Sequence, residues 1–215
     1  MEKQQKKSRV WLIILIVAAV IVVTVAGVLI GKLFFPHKPT AEPSGCEKTA
    51  QQFIEAYLTK DKLTQFDLFL YDARAQWEEQ ILKDHKTEEA FCEVVQQQAD
   101  EKGIEVTVTC FDDYLQKFHE QWEVDAKEVY GDYTVTVTAT SVEAYSEEKS
   151  IDYMSKAIGA QGEEYFGGKS TDTIKQVYAV TVNGVIEGPL KTHNEYYTVF
   201  LVEYDNQWRV VGHTS

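Results

Sequence analysis

Asp112, Asp113, Tyr114 and His119 are the residues whose types and spacing come closest to a reactive set. Two adjacent carboxyls, a phenol and an imidazole would supply a general acid or base and an oxyanion donor, provided they converge on a pocket that retunes their pKa values. The same residues have plainer uses. Asp112-Asp113 opens a helical pattern, where an N-cap and a first-turn acid stabilise a helix end by up to about 1 kcal/mol. His119 falls on the exposed or core-edge side of that helix. No catalytic residue is therefore assigned, and a non-enzyme is expected. His37, His85, His193 and His213 are dispersed without ligand spacing, so neither a metal nor a cofactor is implied.

The three cysteines do not make a disulfide scaffold. Cys92 lies in a helical pattern and Cys110 in a strand pattern. A Cys92–Cys110 bridge and two buried free thiols fit equally well, and spacing does not decide between them. Cys46 is left over.

The elements that must position these residues follow a single apolar run. Val10 to Gly31 carries no charge over twenty-two residues and is opened by Arg9 and closed by Lys32. A helix of that length rises roughly 33 Å, enough for a hydrocarbon core of about 30 Å, so residues 10–31 are expected to span a lipid bilayer. Lys3, Lys6, Lys7 and Arg9 precede the run, which places residues 1–9 in the cytosol and the remainder outside, at a cell membrane. Residues 32–46 hold three of the four prolines and read as an extended stalk.

Charge narrows the partners. Of 21 basic residues six precede residue 40, against one of 34 acidic residues, leaving 15 against 33 in the exported part. A net charge near −18 excludes a nucleic-acid footprint and disfavours anionic lipid surfaces.

Residues 47–215 are long enough for one domain. Ala50, Phe53, Ile54, Tyr57 and Leu58 predict a first amphipathic helix, about Glu47–Thr59. Asp61 then caps a second that keeps its period from Leu63 through Phe66, Phe69, Leu70 and Trp77 to Leu82, and a third runs from about Thr87 to Gly103. Ile104, Val106, Val108 and Cys110 alternate with polar residues and predict a strand. Asp112 to about Glu128 is helical again, with Tyr114, Leu115, Phe118, Trp122 and Val124 as its apolar members. Asp132–Tyr145 alternates as a long strand, Ser150–Ile158 forms a short helix, and three strands close the chain over about 174–182, 195–204 and 207–213. Asp205-Asn206 signals a tight hairpin.

Helices at the front and consecutive strands at the back predict an α+β domain, amphipathic helices on a curved antiparallel sheet. Ala50-x-x-Phe53-x-x-Ala56-Tyr57-Leu58-x-x-Asp61 and the closing Tyr197–Val211 stretch, with Trp208-Arg209-Val210, resemble the two ends of nuclear-transport-factor-2-like domains. The resemblance implies a first helix seated in a cone-shaped sheet, with Phe53, Tyr57 and Trp208 lining an apolar pocket. The function expected is a membrane-anchored extracytoplasmic domain binding a protein or a small apolar ligand. A component of a cell-envelope, conjugation or type IV secretion-like assembly is the alternative, and a cone-pocket isomerase or dehydratase is the third reading.

Overall fold

The structure, a computed structural model, describes residues 44–169, 174 and 176–215. The expected membrane span, the N-terminal tail and the stalk up to residue 43 lie outside the described residues. Among the described residues no helix is long and apolar enough to cross a membrane.

Among the described residues, six α-helices and a four-stranded antiparallel sheet make up the fold. Their order is α1 (Gly45–Leu58), α2 (Lys62–Leu68), α3 (Ala73–His85), α4 (Glu88–Glu101), α5 (Phe111–Tyr130), β1 (Thr134–Ala144), α6 (Glu147–Gln161), a 3-10 turn (Glu163–Phe166), β2 (Tyr178–Glu187), β3 (Thr192–Tyr204) and β4 (Gln207–Thr214). The strands lie in the order β1-β2-β3-β4. Register slips at Thr140 of β1 and Val211 of β4 insert one residue each, the bulge geometry that bends a sheet. Asp205 and Asn206 both adopt positive φ (51° and 61°), giving the hairpin turn expected between β3 and β4.

Helix starts follow local capping chemistry. Glu47 accepts from the Ser44 backbone N–H (2.6 Å) and hydroxyl (2.7 Å), so α1 begins at Gly45 and Cys46, assigned to the stalk by sequence, is buried in the core. Asp61, Asp72 and Thr87 each accept from the backbone N–H three residues on, starting α2, α3 and α4.

Two expectations need correction. The helix anticipated from Leu63 to Leu82 is two helices, because Phe69–Tyr71 leaves the helix to lie along β4. Leu70 donates to Val210 C=O at 2.8 Å there, pairing part of the sheet's outer edge. Residues 104–110 form no strand, since their backbone partner is a side chain. Gln96 of α4 donates to Val106 C=O (2.9 Å) and accepts from Val108 N–H (3.1 Å).

Apolar side chains gather in three clusters. The first packs α1 on one face of the sheet through Ala50, Phe53, Ile54 and Leu58 against Val180, Val182, Val199, Leu201 and Val210. The contact is close because β2 carries Gly184, where a Cβ would fall 2.8 Å from Leu58 and 3.2 Å from Tyr197. The second lies on the other face, under α6 and the 3-10 turn, around Met154, Phe166, Val177, Val202 and Val211. The third stands apart from the sheet. It joins α3, α4 and α5 through Trp77, Phe91, Cys92, Val108, Phe111 and Tyr114.

Candidate functional site

The residues with catalytic potential are held in structural roles away from the α1–sheet interface. Cys110 caps α5, its Sγ 3.5 Å from Asp113 N–H, so Asp112 and Asp113 occupy the first turn rather than the cap itself. Asp112 pairs with Arg74 of α3 at 2.9 Å. Asp113 accepts from both the hydroxyl and the backbone N–H of Thr109, and these bonds hold its carboxyl below the usual carboxylate range. Tyr114 sits in the third cluster, stacked on Trp77 (6.2 Å between ring centroids) and edge-on to Phe91 (5.0 Å); burial raises its phenol pKa. His119 contacts Thr59 C=O through Nδ1 at 2.7 Å and so ties α5 to the C-terminus of α1. Asp112, Asp113 and Tyr114 share one end of α5, and His119 points elsewhere.

Phe53, Tyr57 and Trp208 do line the α1–sheet interface, but at different points along it. Phe53 is fully buried between Phe69 and His213, each 5.1 Å away by centroid. Tyr57 packs against His213 (4.9 Å) and Tyr197 (5.7 Å). Trp208 lies at the opposite end of α1, edge-on to Tyr178 and directly over Gly45, where a Cβ would come within 2.5 Å of the indole nitrogen. Gly45 and Tyr57 are about 18 Å apart along the helix, so α1 itself fills the space the three residues border. His213, in the middle, has its pKa pushed down by burial and, secondarily, by Lys62.

The surface feature suited to binding is elsewhere, in a groove of about 440 Å³ between the C-terminal half of α4, the 104–108 segment and α5. Val95, Ala99, Val106 and Tyr114 form its floor. Ile104, Phe118 and Val124 leave 41%, 43% and 53% of their surfaces in water. Large apolar side chains clustered in an open cleft mark an interaction site more specifically than scattered ones do. Lys102, Glu105, Lys117 and Glu120 border it with charges of both signs, and Lys117 is paired with Glu120 at 2.7 Å. Sequence periodicity marks Phe118 and Val124 as apolar members of α5 but does not reveal how much of each stays exposed among the described residues.

A second cleft, of about 480 Å³, lies between Leu70–Asp72, the 3-10 turn and the β3–β4 hairpin. Its cations are engaged internally: Arg209 donates to Asp67 C=O and Gln207, and Lys169 to Phe166 C=O. Among the described residues no group of His, Cys, Asp or Glu is arranged to hold a metal ion.

The remaining feature is the part of the sheet's second face that α6 leaves open. Thr138, Asn183 and Tyr196 stand in one cross-strand row, and Thr136, Val185 and Asn194 in the next. Among the described residues, the Asn183 side-chain oxygen is buried in that face without a hydrogen-bond partner.

No protein-family model, curated protein or solved structure matches the chain.

Proposed function

We propose that the chain is a membrane-anchored, extracytoplasmic binding module without catalytic chemistry, and that its binding site is the α4–α5 groove rather than the sheet's concavity. The observation that carries the reading is the exposure of Ile104, Phe118 and Val124 along one groove of a strongly acidic chain. The occupant is a protein segment presenting an amphipathic helix. A small-molecule pocket buries some 70–90% of its ligand, and walls this open do not, whereas a helix laid in a groove needs only one face covered. Charges of both signs on the rim suit the polar flanks of such a helix. Anchoring at residues 10–31 rests on the uncharged run and its basic flank.

The test uses a photo-reactive amino acid placed at Val124 in the full chain, in native membranes. A discrete crosslinked protein supports the reading, and adducts to lipid or none at all count against it. Neutral apolar dyes titrated into the exported fragment distinguish a small-molecule site, for which tight, saturable binding is the mark.

A second reading, an assembly module of a cell-envelope complex, draws on the open sheet face. Thr136, Thr138, Asn183, Asn194 and Tyr196 carry no charge, although the domain is acidic, and depletion of charge around an exposed aromatic is characteristic of interface cores. The same photo-crosslinker at Tyr196 would then give a ladder of self-adducts. The enzyme reading would require turnover that Asp113→Asn abolishes while the fold is kept.

A further inference from the structure

The pairing of Cys92 with Cys110 follows from how the 104–110 segment is fastened to α4. Glu88, in the first turn of α4, accepts from Phe111 N–H, and two turns later Gln96 binds both Val106 and Val108. The segment therefore runs antiparallel to the helix. Glu88, Cys92 and Gln96 are spaced four apart and form one stripe on α4. Between the two ties the helix rises about 12 Å. The extended chain from residue 107 to 111 covers about 13 Å. Cys92, midway on the helix, therefore lies level with Thr109 and Cys110 and faces them. Packing agrees: Cys92, Val108 and Phe111 belong to one buried cluster, and Cys92, Val108 and Thr109 line the same small cleft. Both thiols are free in this structure.

We propose that Cys92 and Cys110 form an intrachain disulfide that staples the 104–110 segment to α4, with a low-molecular-weight disulfide such as oxidised glutathione as electron acceptor. Cys110 is the partly exposed thiol and reacts first. Its thiolate attacks one glutathione sulfur, and a glutathione thiol leaves. Cys92 then loses its proton and attacks the Cys110 sulfur, expelling the second glutathione thiolate, which takes up that proton. Two S–H bonds and one S–S bond break, and the same number form. The bridge displaces only the weak Sγ contact to Asp113 N–H. Burial, Glu88, the neighbouring Cys110 thiol, Asp113 and Glu89 together push the Cys92 thiol up. A high-pKa thiolate is a poor leaving group, so the closed bridge resists reduction. Because residues 104–108 form one wall of the α4–α5 groove, the staple also fixes that wall, whatever occupies the groove.

The test needs no variant. Full-length protein in detergent is equilibrated with a glutathione redox buffer, denatured in iodoacetamide and digested with trypsin without reduction. Cleavage at Lys86, Lys102 and Lys117 separates Thr87–Lys102 from Gly103–Lys117, one cysteine in each. The expected product is these two peptides joined, two hydrogens lighter than the separate pair, with Cys46 alkylated. The oxidised protein should also melt at a higher temperature than the same sample treated with dithiothreitol. Recovery of the two peptides unjoined, alkylated or glutathionylated, would overturn the pairing, as would either of them linked to the Cys46 peptide.

Discussion

Phe118→Ala offers the most direct measurement of the groove. Phe118 leaves 43% of its surface in water and rests the remainder against Tyr114, with ring centroids 6.1 Å apart. A phenylalanine side chain buries about 200 Å² when fully covered, so an occupant of the groove gains on the order of 80–90 Å² from this residue. At about 25 cal/mol per Å² that is roughly 2 kcal/mol, or about thirtyfold in affinity. The cost to folding is smaller, because the ring is half-exposed and no cavity closes behind it; about 1 kcal/mol is expected. The assay is a titration of the fragment Thr40–Ser215 with the partner identified by crosslinking at Val124, alongside thermal melting of each variant. Val124→Ala should weaken binding in the same direction by a smaller factor, because less side chain is removed. Unchanged affinity in both variants, with unchanged melting, would refute the assignment of the groove as the site.

Three further outcomes are expected. If residues 10–31 anchor the chain as proposed, protease added to intact cells should digest it beyond about residue 40, because the basic flank would hold only the N-terminus inside; full protection would reverse the proposed topology. Trp208→Ala should lower stability by about 2–3 kcal/mol, below the 3–5 kcal/mol of a fully buried aromatic, because the indole against Gly45 and Tyr178 is only partly buried; an unchanged melting temperature would show that this contact contributes nothing. His213, its pKa pushed below the ordinary 6.5 mainly by burial, stays neutral when folded at a pH where the unfolded chain binds a proton. Its contribution is thus complete above about pH 6.5 and is lost as pH falls toward the lowered folded value, so the melting temperature of His213→Phe should fall less than that of the wild type between about pH 7.5 and 5. Parallel curves would contradict the burial of a neutral imidazole.

The parts of this fold that were legible in the sequence are those decided within a few residues. Asp61 and Thr87 announce helix starts because their own side chains take the orphan N–H groups. Asp205-Asn206 announces a turn because these residues accept positive φ. What misled was periodicity asked to say what lies on the other side. Phe66, Phe69 and Leu70 keep a helical spacing across the break at residues 69–72, yet the chain leaves the helix there because Val210 C=O, 140 residues later, offers Leu70 N–H a better partner. Ile104, Val106 and Val108 alternate as a strand would, but alternation reports only that one side of an extended segment is packed, and here the packing is on α4 with Gln96 in place of a neighbouring strand.

The same limit explains why the groove was missed and why it matters. Tyr114, Phe118 and Val124 belong to one apolar series along α5, and nothing local distinguishes the first, buried among Trp77 and Phe91, from the other two. The difference is one of partners: Trp77 and Phe91 pack on Tyr114, whereas Phe118 stacks on Tyr114 and, with Val124, faces the open groove opposite Val95 and Ala99. Because α1 already covers one face of the sheet, the exposed side chains of Ile104, Phe118 and Val124 in this groove are apolar surface that a partner could bury without disturbing the existing core.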